Sequence, residues 1–299
     1  MPYAYSHMLQ EFLIIDLLAG RAQYALVVLF SRMLNVDIYW VHVLLVPFLW
    51  SFLVPLFSYK LTDILAQKRR EILPLVAALA SNLFPTLVLW GTVSVPNSVG
   101  FIFFFFTVVL LFYWIHTGDR QFWVLSLLAA NATFFAHPQP GIFAFVFLLL
   151  ITSFQKISRN IEKTLFYLLL LVPYPFALHL LNARFSFDKL VSVENFGSLQ
   201  SDIVTIVLFL ALLGVVWGVR RKYVHRRNTL FLFILFVTVI LEYYLTMYGM
   251  SDLPLGGKRM LVMADLVLLP LVALGEIGIV DVIARALHCL KIEPLILNT

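Results

Sequence analysis

Long apolar runs alternate along this chain with short polar gaps. A helix that crosses a bilayer needs about 20 predominantly apolar residues. On that scale the runs at 38–59, 72–91, 100–115, 122–136, 141–155, 164–183, 203–219 and 229–249 predict eight spans, and 260–279 predicts a ninth. Three of these, 100–115, 122–136 and 141–155, are short. HTGDR separates the first two and HPQPG the last two, and both are turn chemistry. The predicted fold class is all-α: a polytopic transmembrane bundle of about nine spans. The Phe run from Phe103 to Phe106 reads as lipid-facing bulk. No fixed-period repeat is visible.

Residues 8–35 fit this scheme least well. LQEFLIIDLLAG is apolar but carries Glu11 and Asp16, and the apolar stretch between Arg21 and Arg32 is short for a span. The pattern predicts one or two amphipathic helices lying on the outer face. A single tilted tenth span is the alternative. The organisation is then an outer-face interfacial segment at 1–37, a transmembrane domain at 38–285 and a cytoplasmic tail at 286–299.

The sidedness comes from charge. The gaps at 60–70, 116–120, 155–163 and 220–227, with the tail from Arg285, hold most of the 21 lysines and arginines. The alternate gaps hold only Arg184, Lys189, Lys258 and Arg259. Short basic loops stay cytoplasmic. The start of the 38–59 span is therefore outside and the C-terminus is cytoplasmic, in an integral, multi-pass membrane protein.

Composition supports the class. Of 299 residues, 62% are hydrophobic and 12% charged, with mean hydropathy +0.96. Soluble domains have about 45–50% apolar and about 25% charged residues. The net charge of +5 does not point to nucleic acid, because the cations sit between spans, where they suit the anionic headgroups of membrane lipids. Cys289 is the only cysteine, so neither a disulfide within the chain nor a Cys-based metal cluster is available.

Ionisable groups within spans are costly, so their depth is informative. Glu242 lies in the outer half of one predicted span and Asp265 in the outer third of the next. Two such acids on adjacent antiparallel helices either share a cavity or, neutralised by Lys258 or Arg259 at the outer mouth, make a structural ion pair that pins the two helices together. Lys258 and Arg259 follow LPLGG at the outer mouth, where Arg suits a phosphate and a lipid-headgroup anchor is the plainer reading. His137 sits in AHPQPG, whose prolines disfavour helix and free backbone groups; a turn histidine at headgroup level is its plainer reading. His42 and His179 also lie near outer ends. His7 and Glu11, at i and i+4, share a helix face. Two ligands do not make a metal site, so a divalent cation is left open as a cofactor. The sequence has no GxxxxGK[ST], GxGxxG or HExxH motif. Broken spans do not pair between halves as in inverted-repeat transporters.

Three stretches resemble the GT-C superfamily of polytopic glycosyltransferases, in its uncharacterised archaeal and bacterial branch. They are SNLFPTLVLWGTVSVPNSVGF, with a Pro-bearing outer loop, LSLLAANATFFAHPQPGIFAFVFLLL, with a His-Pro turn, and GGKRMLVMADLVLLPLVALG, with a basic outer start. The resemblance covers roughly 38–285. It implies transfer of a sugar from a polyprenyl-phosphate donor on the outer face. It also implies a general base in an outer loop after a first span, and no confident span precedes residue 38 here. Glu11 or Asp16 then stands in as the catalytic acid, or that acid lay on a segment this chain lacks. His7, His137, Lys258, Arg259, Glu242 and Asp265 are the expected substrate-binding residues. The alternatives are a non-catalytic scaffold or assembly subunit, held by a membrane-protein partner, and, less well supported, a transporter or flippase.

Overall fold

The structure, a computed structural model, describes residues 21–66, 72–92, 96–157, 199–247 and 257–289. Among them it is helical, apart from an isolated antiparallel bridge between Ala66 and Val224. In order the helices are α1 (Arg21–Leu34), α2 (Ile38–Leu65), α3 (Ile72–Ala80), α4 (Pro85–Thr92), α5 (Pro96–Thr117), α6 (Arg120–Ala136), α7 (Pro138–Ile157), α8 (Leu199–Arg220), α9 (Arg226–Met247) and α10 (Gly257–Cys289). Among the described residues, three segments are long and apolar enough to cross a membrane: Ile38–Leu65, Asn97–Thr117 and Val262–Arg285. The predicted span at 164–183 lies outside the described residues.

The short first helix packs onto the bundle. On α1, Val27 is buried against Val41 and Leu45 of α2, and Leu26 packs on Val46 of α2, Val99 of α5 and Ala136 of α6. The second helix starts at a cap, where the Asp37 carboxylate accepts the Tyr39 N–H at 2.8 Å. It contains Pro47 and Pro55, residues that spanning helices tolerate where neighbours compensate the lost backbone bond.

Where the sequence predicts one span over 72–91, the chain forms two short helices. The break falls at residues 81–84. Proline disfavours helical backbone in the residue before it, and Pro85 opens α4 in the position where a missing N–H costs least. The end of α3 is tied off locally: the Ser81 hydroxyl donates to the Ala78 carbonyl at 2.7 Å, and the Asn82 and Leu83 N–H groups bond back to Leu79 and Ala80. Window hydropathy averages over this break, so it does not register there.

The phenylalanine run also departs from expectation. Phe104 and Phe105 are fully buried, and Phe57 of α2 stacks on Phe106 and meets Phe105 edge-on. The fifth helix lies inside the bundle, packing against α1, α2, α6, α7 and α10. Apolarity alone does not separate a helix surrounded by other helices from one surrounded by lipid, since each favours the same residues.

Helices α8 and α10 approach backbone to backbone. A Cβ added at Gly214 would collide with the Leu271 carbonyl oxygen, and one at Gly275 with the Leu210 carbonyl oxygen. Gly278 lies against the Trp217 ring, and Gly218 against Leu274 and Val224. Spaced glycines of this kind let helix backbones approach without intervening side chains.

One end of the bundle collects the basic gaps. The His225 N–H donates to the Leu65 carbonyl at 3.0 Å, beside the bridge between Ala66 and Val224. The His116 and His225 rings meet at 5.9 Å. Tyr223 donates its hydroxyl hydrogen to Asp281 at 3.2 Å, and Asp281 pairs with Arg285 at 3.9 Å. The guanidiniums of Arg221 and Arg285 both lie over Trp217, at 5.0 and 5.1 Å from the ring centre. Four of the basic stretches, those around 60–66, 116–120, 220–227 and 285, therefore share one end, with Lys60, Arg120, Arg220, Lys222, Arg226 and Arg227 exposed there.

Candidate functional site

At the other end, the α6–α7 turn breaks two helices within one residue. His137 leaves the helical region at φ −158° and ψ 126° while its N–H still bonds to the Thr133 carbonyl at 2.8 Å. Pro138 then begins α7, and the Gly141 N–H returns to the His137 carbonyl at 3.2 Å. A histidine is thus held at a helix junction by its own backbone.

The imidazole is also oriented. The Gln139 backbone N–H donates to His137 Nδ1 at 3.3 Å. A neutral imidazole that accepts at Nδ1 carries its hydrogen on Nε2. The His137 side chain is half-buried.

The α5 surface facing this turn has no side chain at Gly100. A Cβ added there would stand 3.0 Å from the His137 Cβ and 3.1 Å from Pro140 Cγ. Both separations are tight, so the turn is seated on the α5 backbone at a glycine.

Polar side chains are buried at the starts of α1, α5 and α7: Gln23, Asn97, Ser98 and Gln139, at 0%, 9%, 0% and 3% exposure. Val46, Val99 and Ala136 form a small apolar cluster with Leu26 and Phe103 packed against it. Among the described residues, the Asn97 carbonyl oxygen and both polar atoms of the Gln139 side chain are buried without a hydrogen-bond partner. These amides sit in NSVGF and HPQPG, just before the predicted spans at 100–115 and 141–155, where a polar residue in a turn carries no signal of burial.

Helix lengths relate the expected site residues to this turn. At 1.5 Å per residue, Gly100 lies about 24 Å along α5 from His116 at the basic end. Asp265 lies about 24 Å along α10 from Asp281, and Glu242 about 24 Å along α9 from Arg226. The three residues therefore share a depth, and α10 packs against both α5 and α9. Lys258 and Arg259 stand in the first turn of α10, at the end opposite the basic cluster. Asp265 is partly buried between the buried Ala264 and Leu266. The side chains of Glu242, Lys258 and Arg259, and the whole of His7, Glu11, Asp16 and His179, lie outside the described residues. His42 is half-buried and stacks on Tyr24 at 6.2 Å. Among the described residues no three His, Cys, Asp or Glu side chains group as metal ligands.

No family model, curated protein sequence or solved structure matches this chain. Its functional reading therefore rests on its own residues.

Proposed function

We propose that the chain is a multi-pass membrane protein of about nine spans, with its basic end and C-terminus in the cytoplasm. At the opposite end it acts as a glycosyltransferase that takes sugar from a polyprenyl-phosphate donor. One observation carries this reading. The end away from the basic cluster holds His137 next to buried polar side chains at the starts of α5 and α7, with Asp265 and Glu242 at matching distances along α10 and α9. A buried polar group in a bundle this apolar is costly unless something satisfies it.

In this mechanism Glu11 or Asp16 deprotonates the acceptor hydroxyl, the usual work of a positioned carboxylate. Arg259, with Lys258, holds the donor phosphate and stabilises it as the leaving group. His137, with its hydrogen on Nε2, donates to a sugar oxygen. Asp265 and Glu242 are the acids assigned to substrate binding on α10 and α9.

The test is turnover of polyprenyl-phosphate sugars by the full chain in proteoliposomes, comparing wild type with Arg259→Ala and Glu11→Gln. Loss of transfer is expected in both variants. Full activity in both would remove the site assignment. No transfer by wild type with any lipid-linked sugar, together with a stable co-purifying membrane protein, would favour the scaffold reading instead.

A further inference from the structure

The two unsatisfied amides at the α6–α7 turn carry a more specific statement. Asn97 is one helical turn before Gly100, so both lie on the same face of α5. That face is the one pressed against His137 and Pro140. Gln139 lies between those two residues in the chain. The amides of Asn97 and Gln139 therefore belong to one small region, reached from α5 on one side and from the start of α7 on the other.

Their unmet bonding has a definite chemistry. Asn97 Oδ1 and Gln139 Oε1 need donors, and Gln139 Nε2 needs an acceptor. All three atoms are buried, and leaving such atoms without partners is expensive. A ligand that meets this demand carries no net charge at the contact and presents donors and acceptors on adjacent atoms. An alkyl chain supplies neither, and a phosphate supplies acceptors only. Vicinal hydroxyls of a sugar ring supply both, since each hydroxyl donates once and accepts twice.

We propose that Asn97 and Gln139 form a sugar-hydroxyl subsite beside His137, which holds the hexose of the lipid-linked donor. The proposal rests on the glycosyltransferase reading above and names the part of the donor bound at this turn. The phosphate is held elsewhere, so the subsite adds affinity only when the sugar is present.

The experiment measures binding of two probes to the full chain in nanodiscs: undecaprenyl phosphate and undecaprenyl-phosphate glucose. Wild type is expected to bind the glucose-bearing lipid about tenfold more tightly, the worth of two or three neutral hydrogen bonds. Gln139→Met and Asn97→Leu preserve side-chain volume and remove the amides. Each is expected to abolish the glucose-dependent increment, leave binding of undecaprenyl phosphate unchanged, and hold or raise the Tm of the ligand-free protein. The ligand-free Tm separates a ligand site from a structural one, because amides satisfied by a structural water would lower Tm when removed. Equal binding of the two lipids by wild type would overturn the proposal. So would a glucose increment that survives in both variants, or a lowered ligand-free Tm in both. Because binding is read without turnover, a chain that transfers sugar yet keeps its increment in both variants refutes the subsite alone. A chain that shows the increment without transfer refutes the catalytic reading alone.

Discussion

Gly214 faces the Leu271 carbonyl oxygen with no room for a side chain between them. This contact, with its counterpart between Gly275 and Leu210, sets the distance between α8 and α10. Replacing Gly214 with Leu forces the backbones apart. The expected loss is about 1–3 kcal/mol, as for overpacking of a filled interior. Thermal unfolding in detergent checks it, with Gly278→Ala as a milder comparison, since its neighbour is the Trp217 ring rather than a backbone. A Gly214→Leu protein as stable as wild type would show that these helices do not meet as described.

Trp217 joins α8 to the C-terminal part of α10 through Arg285, and Arg221, just past the end of α8, lies over the same ring. Exposed cation–π contacts contribute about 0.5–1 kcal/mol each. A double-mutant cycle on Trp217→Leu and Arg285→Leu is expected to give a coupling energy of that size. Additive losses would mean that the stacking has no energetic role.

His225 makes stability depend on pH. Burial, then the His116 ring and Arg227, hold its imidazole below the ordinary value of 6.5. In the folded chain the proton is disfavoured, whereas the unfolded chain accepts it. The folded state is therefore unpenalised above about pH 6.5 and loses stability as pH falls below it. Among the neighbouring groups, His116 and Arg227 act in the same direction. Tm measured between pH 7.5 and 5.5 is expected to fall more steeply in wild type than in His225→Gln. Parallel profiles would exclude this origin.

Orientation has a direct readout in Cys289, the only cysteine of the chain, at the end of α10. A membrane-impermeant maleimide is expected to label it in inside-out vesicles and not in intact cells. A cysteine introduced at Gly257 in a Cys289→Ser background should show the reverse. Labelling of both positions from the same side would mean that α10 does not cross the membrane.

Much of the architecture was legible because hydrophobic runs and turn residues are local signals. Helices α2, α5, α6, α7, α8, α9 and α10 fall on predicted runs. Observed ends extend past the apolar cores, as at Leu65 and Cys289, because polar residues continue a helix beyond the hydrophobic zone. The division of 72–91 was not legible from hydropathy, although Pro85 marked it. The site was legible only in part. His137 stands out by its flanking prolines, but the roles of Asn97 and Gln139 depend on a glycine of another helix that lets the turn come close. The burial of Phe104 and Phe105 was likewise a matter of neighbours.

The bridge between Ala66 and Val224 joins distant parts of the chain at the basic end. A ribosome adds about 5–20 residues per second. Residue 66 must therefore wait about 8–30 s after its own synthesis before residue 224 exists to meet it. During that interval the end of α2 has no access to this partner. The contact is a late closure in biogenesis, made only after every intervening helix has been synthesised.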